Sequence, residues 1–389
     1  MYKTVIALAI AGLAAAPAFA DSNVTIYGSV DYGYGIRNGD SGLKKNCNTA
    51  PSAGCPKSEF ISGVSVPNRL GFKGSEDLGN GTKAIFELEG GFLADDGTNS
   101  IPGAGGGTPG TGPVFRRHSW VGLTGDWGTV LGGRVDGARY GVATKYDPFN
   151  SGGVGNMGSL QIHATRGDNA IAYVTPNVEG LYAVLAYTDS LIGQESAYNT
   201  GDIRLWVIQP NYVQGPLSVT LNYEHAVVHN TDIKVNIYVF GAWYDFGVVK
   251  LTGYYEHVKL DGADCTKNPT TGAYSSGVFS NGCGYTDQTS WMVGAIVPVT
   301  ENDNIRLSYI DYKDKTIAED SCRKFAIGGT HFMSKRTNFY ADFATISQRD
   351  QGHCTIGYTP TAASQDAGRA SNEIGVGTRG VDLGIVHRF

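Results

Sequence analysis

The chain has 389 residues, a formal net charge of −6, and 55 glycines and 22 tyrosines. The acidic balance and the 17% share of charged residues give no support to a nucleic-acid-binding protein. The composition fits many strands in which alternation with polar residues dilutes the apolar ones.

The first twenty residues predict a secretory signal peptide. Lys3 precedes an apolar run, and an Ala-Phe-Ala pattern at 18–20 stands before Asp21. The run is short and ends in small residues, which favours a cleaved signal over a membrane-anchoring helix. We therefore expect residues 1–20 to be removed and residues 21–389 to form one transmembrane barrel domain.

Alternation of apolar and polar residues predicts most of the strands. The first candidate strand places Val24, Ile26 and Val30 on one face, and Ser29 and Asp31 on the other. We interpret the apolar set of each strand as its lipid-facing side. Later sets are Leu181, Ala183, Leu185 and Tyr187; Leu217, Val219, Leu221 and Tyr223; Ile233, Val235, Ile237 and Val239; Trp291, Val293, Ala295 and Val297.

The final nine residues, 381–389, predict a strand that closes a barrel. Val381 and Leu383 share one face, and Asp382 and Arg388 the other. About nine residues suffice for a tilted strand to cross a bilayer, and in lipid its edges must be paired. We expect this strand to pair with the first.

The predicted connections alternate between short turns and long polar loops. Seven short turns are predicted at residues 78–81, 126–128, 176–180, 215–216, 245–247, 300–304 and 334–336. With both termini on the short-turn side, this gives sixteen antiparallel strands, all-β, with the asymmetry of an outer-membrane barrel.

A soluble β-sandwich is the competing interpretation, because its strands also alternate. Charged side chains in mid-strand, opposite purely apolar neighbours, favour a membrane barrel with a water-filled lumen. These side chains are Asp31, Arg69, Lys73, Glu87, Glu89, Arg116, Arg134 and Asp136.

Several segments resemble the trimeric general porins of Gram-negative, β-proteobacterial outer membranes. They are VTIYGSVDYGY from Val24, RLGFKGSEDLGNGTKAIFELEGGF from Arg69, FRRHSWVGLTGDWGTVLGGR from Phe115, YDPF from Tyr146 and the ending HRF. The resemblance implies a homotrimer of sixteen-stranded barrels, each narrowed by an inward-folded third external loop at residues 140–166. It also implies contact with outer-membrane lipid and lipopolysaccharide, and Phe389 as an aromatic assembly signal.

On this resemblance, we expect Arg69, Arg116 and Arg134 to form a basic half-ring at the pore waist, opposite acids such as Asp147. Guanidinium groups stay charged, so the cluster lowers the barrier for anions and raises it for cations. The alternative is that these arginines pair with neighbouring acids as scaffolding of the lumen. The full predicted constriction set is Arg69, Arg116, Arg134, Asp136, Asp147, Asp31, Lys73 and Glu87.

The expected function is passive diffusion of small hydrophilic or anionic solutes and ions, with no catalytic residue, no cofactor and no metal. Two alternatives stay open: an outer-membrane hydrolase, and a solute-specific, receptor or adhesin barrel whose external loops bind a ligand. The absence of a G-x-S-x-G motif gives the hydrolase no support.

Six cysteines are unusual for the porins that the chain resembles. In an exported protein an even number favours disulfides. We expect three, Cys47 with Cys55, Cys265 with Cys283, and Cys322 with Cys354, which stiffen the external loops. Free or differently paired thiols are the alternative.

Overall fold

The structure is a computed structural model. It describes residues 23–39, 56–97, 114–160, 165–193, 195, 202–231, 233–261, 266–267, 274–275, 287–315, 319–352, 354–357 and 377–389. The expected signal peptide lies outside these residues. Within them, no helix is long and apolar enough to cross a membrane.

Nineteen strands and one α-helix make up most of the regular structure in the described ranges. The strands are β1 Asn23–Asn38, β2 Lys57–Ser62, β3 Arg69–Asp77, β4 Lys83–Gly91, β5 His118–Gly125, β6 Gly128–Asp136, β7 Arg166–Val174, β8 Leu181–Thr188, β9 Ile203–Gln214, β10 Leu217–Val228, β11 Lys234–Asp245, β12 Lys250–Asp261, β13 Thr266–Lys267, β14 Tyr274–Ser275, β15 Asp287–Pro298, β16 Asp303–Asp314, β17 Asp320–Phe332, β18 Thr337–Asp350 and β19 Arg379–Arg388. The helix, α1, spans Ala138–Tyr146, and a short 3₁₀ helix spans Met157–Leu160.

Seventeen of these strands form one closed antiparallel sheet, and β13 pairs only with β14. β19 pairs with β1 along ten residues, as the alternation at the two ends predicts. β2 and β3 lie end to end along β1, opposite residues 32–37 and 23–29. Because these two strands form one stave of the wall, the barrel has sixteen staves, which confirms the predicted number.

The connections at the two ends of the barrel differ in length. All seven predicted short turns join consecutive strands at the end that also holds both termini of the sheet. At the opposite end, most connections are long, but those at residues 229–233 and 315–319 have only five residues each. The prediction that every connection at that end is long was therefore wrong.

Side chains of β1 show how the wall separates lipid from water. Val24 and Ile26 are 60% and 61% exposed on the outer face, whereas Asp31 and Arg37 are fully buried on the inner face. An apolar outer face and a polar inner face are what a bilayer outside and water inside require.

The predicted lipid-facing set of β11 was wrong. Val235, Ile237 and Val239 are buried on the inner face, while Tyr238 and Phe240 point outwards. The inner face is apolar here because α1 packs against it, which places Val142 and Tyr146 in the same buried cluster as these three residues. Alternation identifies two faces, but it does not show which one another segment covers.

Candidate pore constriction

The connection between β6 and β7 folds into the barrel and is here called the constriction loop, residues 137–160. It begins with α1, where the backbone N–H of Arg139 donates to the Glu224 carboxylate of β10 at 2.9 Å. The helix ends at Tyr146. The N–H of the next residue, Asp147, donates to the carbonyl of Ala143, and Pro148 cannot continue the helix. The loop therefore lies inside the lumen, as the resemblance implies.

Three inward glycines make room for the rings that follow α1. A β-carbon at Gly241 would overlap the ring of Tyr146, and one at Gly294 would overlap Pro148. A β-carbon at Gly328 would overlap the Asp342 carboxylate and would also approach the ring of Phe149 to 2.9 Å. These glycines come from β11, β15 and β17, so the Tyr-Asp-Pro-Phe segment fits a row of sockets in the wall. We call Gly241, Gly294 and Gly328 the glycine sockets.

The hydroxyl of Tyr146 fixes the first of these rings. It lies 2.9 Å from the hydroxyl of Ser218 and 2.8 Å from that of Thr220, both on the inner face of β10. Nearby, the ammonium of Lys145 donates to Thr220 at 3.3 Å. Partial burial lowers the pKa of Lys145. The base of the constriction loop is thus bound to the wall through both packing and hydrogen bonds.

Asp147 organises the rest of the constriction loop. Its carboxylate accepts hydrogen bonds from the backbone N–H groups of Phe149, Ser151 and Met157 at 2.9, 3.1 and 2.7 Å. The side chain is buried, and this burial raises the pKa of Asp147, against the hydrogen bonds and the positive charge of Lys324. Asp147 therefore holds the loop in shape from within.

The tip of the loop is tied to the wall. The N–H of Val154 donates to the Asp382 carboxylate of β19 at 2.5 Å, and the N–H of Gly153 donates to the carbonyl of Val64 at 2.6 Å. The buried ammonium of Lys324 donates to the carbonyl of Asn156 at 2.6 Å. These bonds fix the position of the loop across the lumen.

Asp31 binds the wall segment next to this tip through hydrogen bonds. Its carboxylate accepts from the N–H groups of Ser65 and Val66, both at 2.6 Å, and from the hydroxyl of Tyr340 at 2.7 Å. Ser65 and Val66 lie in the break between β2 and β3. Asp31 and Asp147 therefore both accept hydrogen bonds from backbone amides.

The other predicted acids and their basic partners form a network on the neighbouring wall, from β3 to the start of β7. Arg117 pairs with Glu89 at 2.5 Å, and Arg69 lies 3.8 Å from the same carboxylate. His118 bridges Glu87 at 2.6 Å and Asp136 at 3.0 Å. Arg166 also binds Asp136, at 2.7 Å. This wall network consists of Arg69, Glu87, Glu89, Arg117, His118, Asp136 and Arg166.

Arg134 and Arg116 lie next to the wall network. The pairing of β6 with β7 is irregular between Gly133 and Val135, and Arg134 forms an ion pair with Asp168. Its Nε also donates to the backbone carbonyl of Arg116. The Arg116 side chain is 9% exposed.

Lys73 is the most accessible of the predicted basic residues. It is exposed, and its ammonium lies 5.1 Å from the centre of the Tyr27 ring, whose hydroxyl donates to Glu87 at 2.6 Å. In register, Arg69 lies opposite Ser29, and Lys73 opposite Thr25, on the inward parity of β1.

Sequence reasoning missed several residues that hold the constriction. Asp382 is among the residues of the last strand, but nothing local shows that it binds a loop amide more than two hundred residues away. Asp342, which pairs with Arg306 at 2.7 Å, and Lys324 were also missed. Arg117 was also missed; it lies just before β5, which begins at His118, so the alternation within the strand does not include it.

Glu87, Glu89 and His118 bring three ligand atoms within 4.8 Å of one another. Each group already has a protein partner: Glu87 binds Tyr27, Glu89 binds Arg117, and His118 binds Asp136. A metal ion would have to displace these partners, so the arrangement is better described as an ion-pair network.

A model of the Gram-negative porin family matches residues 5–351. The chain belongs to this family. This porin is 30% identical to an outer membrane porin protein of Bordetella pertussis, over 88% of the chain and 93% of the relative. It is 29% identical to outer membrane porin protein 32 of Delftia acidovorans, over the full length of both.

Solved structures agree with this assignment. The anion-selective porin from Comamonas acidovorans is 28% identical and matches 95% of this chain and all of that one with a TM-score of 0.71. Salmonella typhi OmpF, 15% identical, shares the fold with a TM-score of 0.61 over 94% of this chain and 97% of its own. This porin is an outer-membrane channel of Gram-negative bacteria, and not an enzyme.

Proposed function

We propose that this porin passes small hydrophilic solutes with a preference for anions. The observation that carries the proposal is a difference in solvent exposure between acidic and basic side chains at the constriction. Asp31 and Asp147 are buried and bind backbone amides, whereas the Arg69 side chain is 32% exposed and Lys73 is exposed on the inward face. Asp136 is also accessible, with a side chain 48% exposed, but it forms an ion pair with Arg166 at 2.7 Å and binds His118 at 3.0 Å. Among the described residues, the accessible charge on this wall that has no ion-pair partner within 3 Å is therefore positive.

A third basic side chain belongs to the same region. Arg388 of β19 lies opposite Ser29 in register, and its guanidinium donates to Asn338 at 2.9 Å. Arg69 and Lys73 of β3 and Arg388 of β19 thus lie on the two staves that flank β1. Fixed cations beside a narrow aqueous passage raise the local concentration of anions and repel cations. The anion-selective porin from Comamonas acidovorans supports this proposal by its similarity.

We expect the double variant Arg69→Gln, Lys73→Gln to lose much of the anion preference. Each substitution removes one accessible positive charge, so the anion-to-cation permeability ratio should fall by roughly twofold to fivefold. The measurement is the reversal potential of single channels in a salt gradient at neutral pH. Arg336→Gln is the matched control, because Arg336 is an exposed residue of the short turn between β17 and β18, and it should keep the wild-type potential.

A wild-type channel that prefers cations under these conditions would contradict the proposal. Arg116 and Arg134 should contribute less to the anion preference, because Arg134 is ion-paired with Asp168 and Arg116 is nearly buried. A barrel that conducts nothing in a planar bilayer would instead favour the receptor or adhesin alternative.

We also propose that three copies assemble through the outer faces of the first and last strands. These faces are apolar, with Val24, Ile26 and Leu383 more than half exposed. The expected result is a trimer band on an SDS gel of the unboiled protein, which boiling converts to a monomer. A monomer band alone, from protein shown by circular dichroism to be folded, would contradict the trimer.

The outer rim of β16 to β18 offers a contact for lipopolysaccharide. Asp311 accepts hydrogen bonds from Arg323 and Arg349, both at 2.9 Å. Asp311 pairs in register with Trp291, and both side chains are on the lipid-facing side of the wall. Two guanidinium groups that share one carboxylate still carry net positive charge, and they can bind a phosphate. Purified Arg323→Gln, Arg349→Gln protein should retain less lipopolysaccharide than Arg336→Gln protein, and equal retention would refute this contact.

A further inference from the structure

Residues 354–357, here called the mouth segment, lie inside the barrel beside the constriction loop. Ile356 is fully buried. Its N–H donates to the carbonyl of Gly377 at 3.0 Å, and its carbonyl accepts from the inward guanidinium of Arg37 at 3.3 Å. The mouth segment follows β18 in the chain, so it belongs to a different external connection from the constriction loop.

The mouth segment touches the tip of the constriction loop. A β-carbon at Gly380 would lie 2.8 Å from a methyl group of Val154 and 2.9 Å from one of Ile356, so both side chains crowd the same inward glycine of β19. The side-chain amide of Asn156 donates to the carbonyl of Gly357 at 2.8 Å and also to that of Gly153. The loop tip is therefore held by β19 and by the mouth segment.

A disulfide anchors the mouth segment to the wall. Cys354 is bonded to Cys322, with 6.3 Å between the Cα atoms, which is the pairing that the sequence predicts. We expected Cys322 in an external loop, but it lies in β17. There it is fully buried and pairs in register with Tyr312. The other predicted pairs, Cys47 with Cys55 and Cys265 with Cys283, lie outside the described residues.

Gln348 of β18 completes this anchor. Its side-chain amide donates to the carbonyl of Cys354 at 2.6 Å, and its side-chain oxygen accepts from the N–H of Cys354 at 3.0 Å. Together, the disulfide and these two bonds fix one end of the mouth segment directly on the wall.

We propose that the Cys322–Cys354 disulfide holds the mouth segment in place, and that the tip of the constriction loop depends on this disulfide through the mouth segment. The proposal rests on the channel function of this porin. Without the disulfide, the segment is held by a few hydrogen bonds of about 1 kcal/mol each and by Ile356, against the conformational entropy of a long connection. The tip of the constriction loop then loses a fixed neighbour, and the narrowest part of the pore widens and fluctuates.

The test is the double variant Cys322→Ser, Cys354→Ser in planar bilayers. We expect a unit conductance roughly 1.5-fold above wild type, noisier open-channel current, and entry of larger polyethylene glycols, because the aperture limits all three. Cys47→Ser, Cys55→Ser is the control for removing a cysteine pair, and it should behave as wild type. Reductant added to the Cys322→Ser, Cys354→Ser protein should change nothing further.

Ile356→Ala provides a second variant that leaves both cysteines in place. It removes side-chain atoms that pack over Gly380 together with Val154, so the same three changes should appear with smaller size. This variant decides the matter if the double serine variant does not fold. The proposal would be overturned if the Cys322→Ser, Cys354→Ser variant kept the wild-type conductance, current noise and size limit. If only Ile356→Ala folds, the same result in that variant would overturn it. A wild-type protein without conductance would instead overturn the channel function itself.

Discussion

Replacing Asp147 with asparagine should release the constriction loop while the barrel stays folded. The carboxylate accepts from three backbone N–H groups, those of Phe149, Ser151 and Met157. An asparagine of the same shape keeps one oxygen but turns an NH₂ group towards N–H donors. Hydrogen bonds to a charged group are worth about 1.5–3 kcal/mol each, so the loss of one or two is large on the scale of a loop.

The backbone near Asp147 adds to this effect. Asn150 and Ser151 both have positive φ, 52° and 59°, a conformation that costs about 1–3 kcal/mol per non-glycine residue. The bond from Ser151 to Asp147 helps to maintain it. Once that bond is lost, the strained turn should relax.

The measurement for Asp147→Asn is single-channel conductance, with unboiled gel mobility as the check on folding. We expect higher conductance, more current noise and unchanged mobility. Asp245→Asn is the control, since Asp245 also accepts a backbone N–H, that of Gly247 at 2.8 Å, but in an exposed short turn. Wild-type conductance in Asp147→Asn would show that the loop keeps its shape without the carboxylate.

The barrel could be predicted from the sequence because its cause is repeated in nearly every strand. Each stave that faces lipid and water must alternate, and each short turn has a local sequence pattern. Closure between β1 and β19 follows from the need to pair every edge in lipid. None of these inferences requires knowledge of a distant contact.

The constriction could be located but not built from the sequence. The Tyr-Asp-Pro-Phe segment can be recognised in the sequence, but its glycine sockets come from three strands far along the chain. The sequence does not show whether a ring covers a glycine on an inward face. Val235, Ile237 and Val239 were misassigned for the same reason, because α1 covers them. Likewise, the irregular pairing at Arg134 does not follow from alternation.

The second large effect is expected for Gly241→Val, which fills the socket beneath Tyr146. The valine β-carbon would overlap the tyrosine ring, so the ring and α1 must move away from β11. The displacement breaks the hydroxyl contacts with Ser218 and Thr220, worth about 1 kcal/mol each, and exposes much of a buried ring, worth about 2–3 kcal/mol. These losses exceed the effect expected from a single surface change.

Gly253→Val is the matched control, because Gly253 lies on the neighbouring strand, opposite Ala242 in register, and a β-carbon there meets nothing closer than 4.0 Å. Both substitutions add a β-branched residue to a strand, which favours strand structure in itself. We expect Gly241→Val to shift unit conductance and to make the constriction loop accessible to protease in detergent, while Gly253→Val keeps the wild-type values. Because Asp147 lies beyond the first socket, Gly241→Val moves the base of the loop and Asp147→Asn loosens its tip. Equal conductance and equal protease resistance in the two valine variants would mean that Tyr146 repositions α1 without changing the channel, and that the glycine sockets do not determine the aperture.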